Sequence, residues 1–276
     1  MGANTKALKA RIRSVDSTMH ITKAMELVAS SKMKRARARM DGSRFYRTVL
    51  AEAFADLASS DSVYAKVRAD LPALYIVVAG DRGLAGGYNT SVFKTVMQSV
   101  SEKDVILPIG RRAADYFARR GYASFDGNTY SAETVTSADC ARLAREIKAR
   151  YDGGAFGAVY VVSTKFVSML SQQAGIQKLL PLEKPADADA KTPSGILYEP
   201  DAETVLSAII PEYIAGTVYS AAAESFASEL AARRSAMDTA TKNAAEMIDT
   251  LSLRYNRARQ SAITQEITEI VAGAQK

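Results

Sequence analysis

The stretch FASELAARRSAMDTATKNAAEMIDTLSLRYNRARQSAITQEITEI (226–270) decides the fold. Phe226, Leu230, Arg233, Met237, Ala240, Ala244, Met247, Leu251, Arg254 and Ala258 follow a strict alternation of four and three, and Ile263, Ile267 and Ile270 continue it on a slightly rotated stripe. This is the spacing of one face of an α-helix, and a heptad held for so long argues for a coiled coil. After Pro211 there is no Pro, and Gly216 is the only Gly before Gly273. A helix is therefore expected over 202–272, a rod of roughly 100 Å at 1.5 Å per residue. Many seam positions are Ala, Ser, Thr or Arg, which makes a thin core. A seam this thin implies that something is wrapped around much of the rod.

The other end of the chain carries the same pattern. From Ala3 to about Ser59 there is no Pro, and Gly42 is the only Gly. Leu8, Ile12, Val15 and Met19, then Arg47, Leu50, Phe54 and Leu57, are again spaced by threes and fours. Two long helices at opposite ends of one chain pair most economically with each other, antiparallel. Between them the periodicity changes. LYIVVAG (74–80), VILPIG (105–110) and AVYVVSTKF (158–166) are short β-branched runs bounded by turn residues, and IQKLLPL (176–182) is placed to hairpin back on the last. SVFKTVMQSV (91–100), RRAADYFARRG (111–121) and ADCARLAREIKARY (138–151) have helical spacing. Strands alternating with helices predict a small α/β, Rossmann-like domain with a mostly parallel sheet. The expected organisation is an N-terminal coiled-coil helix at 1–60, the α/β domain at 70–183, a Pro-, Asp- and Lys-containing connection at 184–201, and a C-terminal coiled-coil helix at 202–276.

Composition narrows the chemistry. The 276 residues are 47% hydrophobic and 24% charged, ordinary for a protein with a buried core. A single Cys, Cys140, cannot close an intramolecular disulfide, and a single His, His20, leaves the usual general base and zinc ligand almost unrepresented. The unbroken apolar runs are too short to span a bilayer. The first 20 residues lack the apolar core of a secretory signal. The net charge of +6 is unevenly placed: residues 1–47 hold 12 Lys/Arg against Asp16, Glu26 and Asp41, a local +9. A basic arm fits nucleic acid, anionic lipid or an acidic protein surface, and charge alone does not choose among them.

Four motifs invite a chemical reading. GDRGLAGGYN (80–89) follows a strand and precedes a helix, where phosphate loops sit, yet it lacks both the terminal Gly-Lys-Ser/Thr of a P-loop and a GxGxxG. It reads as a tight turn whose backbone needs Gly at 83, 86 and 87. His20 has no second His or Cys nearby and reads as a packed or interface residue. Glu266 and Glu269 lie at i, i+3, where solvated helix faces put them. KMKRARAR (32–39) lacks interleaved aromatics, and its charges fan around most of a helix, which suits a rod enclosed by acidic surfaces.

Three of these stretches together resemble one family. ITKAMELVASSKMKRA (21–36), GDRGLAGGYN (80–89) and RYNRARQSAITQEITEIVAGA (254–274) are similar to the signature segments of the gamma subunit of the F-type ATP synthase, in the right order. The resemblance covers essentially the whole chain, and the absence of a clear presequence before the ITKAM segment favours the family's bacterial type. It implies a non-catalytic rotor shaft with no cofactor and no metal. The two terminal helices would stand as an antiparallel coiled coil inside a 3:3:1 head of alpha and beta subunits, with the α/β domain beside epsilon on the ring of c subunits. Localisation would be peripheral, on the cytoplasmic side of the cell (inner) membrane, with no nucleic acid bound. By motif, Met25, Arg233, Arg259, Gln260, Thr264 and Glu266 correspond to head contacts, and Tyr198 and Glu199, in LYEPD, to the face toward the ring. Two departures stand out: Ala85 sits where many relatives carry Cys, and Arg234 beside Arg233 leaves open which of the two makes the contact. The readings left beside it are a basic coiled-coil nucleic-acid binder, with steeply salt-sensitive affinity, and a nucleotide-dependent enzyme built on the α/β domain.

Overall fold

The computed structural model describes residues 3–57, 62–182 and 198–274. In chain order the elements are α1 (Ala3–Leu57), a 3-10 turn (Val63–Ala65), β1 (Ala73–Val78), α2 (Tyr88–Met97), β2 (Val105–Ile109), α3 (Arg111–Ala118), β3 (Ala123–Ser124), α4 (Ser137–Asp152), β4 (Ala158–Phe166), β5 (Gln172–Leu180) and α5 (Ala202–Ala274). Residues 184–197 of the expected connection lie outside the described residues, as do 183 of the expected domain and 1–2, 58–60 and 275–276 of the expected helices. The chain divides into two compact units, Met1–Ser31 with Arg233–Lys276, and Lys32–Ala232.

The first unit is a two-helix coiled coil. On α1, Leu8, Ile12, Val15 and Met19 are half-buried, with Thr22 and Ala29 buried beyond them. On α5, Met237, Ala244 and Leu251 are buried as the heptad predicts. Of the other expected seam positions, Ala240 and Ala258 are half-buried, while Met247 and Arg254 depart from expectation. The inward stripe passes through Thr241, Ile248 and Tyr255, whereas Met247 is 44% exposed and Arg254 faces solvent. The two alternations share every second position, so the sequence admits both. Chemistry separates them: a helix turned to bury Thr241, Ile248 and Tyr255 keeps the Arg254 charge in water. Thr241 then meets its counterpart on α1, the two hydroxyls of Thr22 and Thr241 lying 2.8 Å apart. Ile263, Ile267 and Ile270 are exposed as well, because every residue from 263 to 274 projects into solvent.

The second unit is built on a five-stranded sheet of order β3-β2-β1-β4-β5. β1 pairs in parallel with β2 and β4, β2 with β3, and β5 returns antiparallel along β4. β3, a two-residue strand, has no sequence signal of its own. One face packs Tyr75, Val77, Val92, Phe93, Val96, Phe117 and Val162 into a common core. α4 opens with a capping box, in which the Thr136 hydroxyl accepts from the Asp139 amide and the Asp139 carboxylate accepts from the Thr136 amide. The Thr136 hydroxyl also donates to Asp139 Oδ2 at 2.7 Å, and that bond, with the one from the Thr136 amide, holds the Asp139 carboxyl below its ordinary range.

α5 crosses this unit with small residues. Ala215, Gly216, Ser220, Ala221, Ala222, Ala223, Ser225, Ala227, Ser228 and Ala231 are all buried. A Cβ on Gly216 would lie 2.7 Å from the Tyr46 ring and 2.8 Å from Leu50, so a larger residue there would have to push both α1 side chains aside. One window of α5 is apolar enough by composition to cross a membrane, and 56% of it is buried inside the chain. Its apolar surface is thus largely spent on the chain's own core. The alternative seams on α5 give a direct test: Leu251→Ala lowers stability to denaturant by about 2 kcal/mol, and Met247→Ala leaves it unchanged. Equal effects at the two positions would contradict the seam described.

Candidate docking surfaces

The Gly-rich loop is tied into the protein by its own polar groups. The Gly80 amide donates to Asn89 Oδ1 at 2.9 Å, and Asn89 Nδ2 donates to the Arg82 carbonyl. Asp81 accepts from the Arg111 amide at 3.0 Å and from the Ser131 hydroxyl at 2.5 Å. Ala85 and Tyr88 are buried. The glycine requirement lies elsewhere than at 83 and 87. Gly86 has φ +56°, but the other left-handed residue is Leu84, at φ +62°. A side chain on Gly83 would meet nothing within 4 Å, and on Gly87 only the Ser91 hydroxyl at 4.0 Å. Instead a Cβ on Gly80 would sit 2.9 Å from the Glu229 carboxylate, and one on Gly110 only 2.0 Å from the Ala79 carbonyl oxygen, with φ +112°. The loop is therefore a seat for α5 and α3.

Much of the basic collar is engaged within the chain. Arg39 donates to the carbonyls of Ala132, Glu133 and Val135 and lies 4.7 Å over the Tyr219 ring. Lys32 pairs with Glu133 at 2.5 Å, Arg37 covers the Phe166 ring, and Arg44 pairs with buried Glu224 at 2.6 Å. Lys34 and Arg35 remain exposed. A phosphate-binding stripe needs its cations free at the surface, whereas Lys32, Arg39 and Arg44 are bonded within the chain and Arg37, though exposed, lies over a ring. His20 is exposed, 3.8 Å from Asp16. Among the described residues no group of three or more His, Cys, Asp or Glu is placed to hold a metal. Burial pushes the Cys140 thiol up to about 12, with Asp139 adding to the effect.

The residues singled out by motif fall into two sets. Met25, Arg233, Arg259, Gln260, Thr264 and Glu266 all belong to the coiled-coil unit. Met25 and Arg233 are half-buried, whereas Arg234, Arg259, Gln260, Thr264 and Glu266 are exposed. The Thr264 hydroxyl donates to the Gln260 carbonyl at 3.0 Å. Tyr198 and Glu199 belong to the other unit, just before α5, with Tyr198 half-buried and Glu199 exposed. Sequence reasoning missed the buried acids Glu224 and Glu229. Glu224 could have been found: it stands in SAAAESFAS (220–228), with no Lys or Arg at i±3 or i±4 to make it a solvated pair.

The ATP synthase family model matches residues 4–276. The ATP synthase gamma chain of Ruminococcus albus is 45% identical over 97% of this chain and 96% of its own length. The chain belongs to the ATP synthase gamma-chain family. A gamma chain of Acetobacterium woodii described as sodium ion specific is 38% identical over the whole of this chain and 99% of its own. The fold is shared with solved structures at lower identity. A chain of the Euglena gracilis mitochondrial ATP synthase, solved with OSCP, F1 and c-ring, matches with TM-score 0.75 and 19% identity, covering 100% of this chain and 95% of that one. A chain of the Tetrahymena thermophila mitochondrial ATP synthase central stalk and c-ring matches with TM-score 0.60 and 23% identity, covering 80% and 99%.

The glycine assignments in this gamma-family chain are testable together. Gly110→Ala destabilises by at least about 3 kcal/mol through strain and a backbone clash, while Gly83→Ala stays within about 0.5 kcal/mol of the parent. Denaturant unfolding of both variants measures this, and a costly Gly83→Ala would restore the requirement read from sequence.

Proposed function

We propose that this chain is the central rotor shaft of an F-type ATP synthase, coupling ion flow through the membrane ring to ATP synthesis and hydrolysis in the alpha/beta head. The observation that carries it is the C-terminal end of α5. There Ile263, Ile267, Ile270 and Val271 are exposed on a well-formed helix, interleaved with Arg259, Gln260, Thr264 and Glu266. A helix end this apolar in solvent calls for a sleeve, and the polar groups between give that sleeve points to grip. Met25, with Arg233 or Arg234, extends the same contact along the coil. In the other unit Tyr198 and Glu199 face the ring of c subunits and epsilon.

The role is mechanical and the subunit does no chemistry itself. Charge-assisted bonds from Arg233, Arg259 or Glu266 to the head contribute about 1.5–3 kcal/mol each when desolvated. That is enough to sense the state of a catalytic site, and weak enough to break as the shaft turns. The expected organisation follows: 1–60 and 202–276 form the shaft, 70–183 is the domain that meets the ring, and 184–201 joins them. The chain is peripheral, on the cytoplasmic side of the cell membrane, and reaches the bilayer only through the complex.

The test is reconstitution with alpha, beta and the membrane sector. The expected result is a 3:3:1 head whose ATP hydrolysis depends on this chain. Met25→Lys, which adds a cation where the shaft meets the head, assembles but pumps fewer ions per ATP hydrolysed. No assembly, together with salt-sensitive DNA binding by the chain, would overturn the reading. An unchanged pumping ratio in Met25→Lys would remove Met25 from the contact.

A further inference from the structure

β4 is longer than the neighbour it pairs with on one side. Its pairing with β1 ends at Val77 and Val162, while β5 accompanies it to Phe166. In a strand, backbone groups alternate between the two sides, so Thr164 and Phe166 point their polar groups away from β5, where β1 has ended. Buried and unpaired, such groups are costly. α5 supplies their partners. The Thr164 amide donates to Ser225 Oγ at 2.9 Å, and the Thr164 carbonyl accepts from the Ser228 hydroxyl at 3.2 Å. The Phe166 amide donates to Glu224 Oε1 at 3.2 Å. Helix side chains thus extend the hydrogen-bond ladder where a strand is missing. The same Glu224 oxygen also accepts from Arg44 of α1 at 2.6 Å, and Arg44 reaches the Phe166 carbonyl at 3.4 Å. Ser225 and Ser228 are completely buried, and Glu224 is 5% exposed.

Around this node the α5 surface is mostly Ala, and Ala-on-sheet contacts have no strong rotational preference. The hydrogen bonds do. They link neighbouring positions on one helix face to fixed backbone atoms, and turning α5 by one residue, about 100°, would break all three. We propose that Glu224, Ser225 and Ser228 form a torsional key through which turning force on the α/β domain passes into α5. They are positioning residues for energy coupling, distinct from the head and ring contacts. The inference rests on the shaft reading above.

The experiment compares Ser225→Ala/Ser228→Ala, Glu224→Ala and Glu224→Gln in the complete complex in vesicles. It reads ATP hydrolysis, ions pumped per ATP, and amide hydrogen exchange at Thr164 and Phe166. Losing one buried hydrogen bond is expected to speed exchange roughly tenfold, at Thr164 in the serine variant and at Phe166 in Glu224→Ala. Hydrolysis persists, because the head senses only the shaft, while ions pumped per ATP fall. Glu224→Gln keeps an oxygen acceptor and recovers pumping relative to Glu224→Ala, which a loss of general stability would not require. Should the double variant fail to assemble, Ser225→Ala alone is read by the same ratio. Faster exchange with an unchanged pumping ratio would reduce the key to a fold contact, and unchanged exchange would mean that the bonds are not made. Failure of the parent chain to assemble would overturn the shaft reading and with it any transmission. Parent assembly with indifferent variants would overturn only the key.

Discussion

A helix of 73 residues has to bury its apolar side against something along its whole length, and α5 meets that demand in three different ways. Over residues 210–232 it lies among small buried residues that let the sheet and α1 come close. Over 233–262 it has a narrower stripe, centred on Met237, Thr241, Ala244, Ile248, Leu251 and Tyr255, to share with the first helix. Beyond 262 its described residues are all exposed. Composition follows these surroundings: Ala and Ser where the contact is tight, mixed heptads where two helices meet, and isolated Ile among polar residues at the end. The thin seam read from the sequence has two remedies, one internal to the chain and one that a partner has to provide.

Polar groups supply the precision that small apolar residues cannot. Arg39 spans three carbonyls in the segment before α4, Glu224 joins α1, α5 and β4, and Asp81 ties the Gly-rich turn to the start of α3 and to Ser131. Each is a charged side chain bonded to backbone, an arrangement that fixes orientation as well as distance. The excess positive charge of α1 is accordingly shared between roles. Part of it holds the α/β domain, and Lys6, Lys9, Arg11, Arg13, Lys34 and Arg35 stay exposed.

Both long helices, the order of strands and helices apart from β3, and the antiparallel hairpin at the end of the sheet were legible in periodicity, because periods of 3.6 and 2 are set by backbone geometry. The rotation of the α5 seam was not. Met247 against Ile248, or Arg254 against Tyr255, is decided by what the opposing helix presents and by the cost of burying Arg254. The glycine assignments failed for a similar reason. Gly110 is required by its left-handed φ and by the Ala79 carbonyl just after β1, Gly80 is crowded by the Glu229 carboxylate on α5, and Leu84 takes a left-handed turn that a glycine would be expected to fill. The proposed head and ring contacts rest on family resemblance alone, since an exposed Arg or Gln on a helix has no local signature of a partner.

Rotation itself is the most direct measurement. Lys103, exposed in the turn after α2, can be replaced by Cys to carry a single probe, because Cys140 is buried with its thiol pushed up to about 12. With the alpha/beta head immobilised and ATP supplied, a rotor predicts that the probe turns in one direction for as long as ATP is hydrolysed. Sustained hydrolysis with a stationary probe would contradict it.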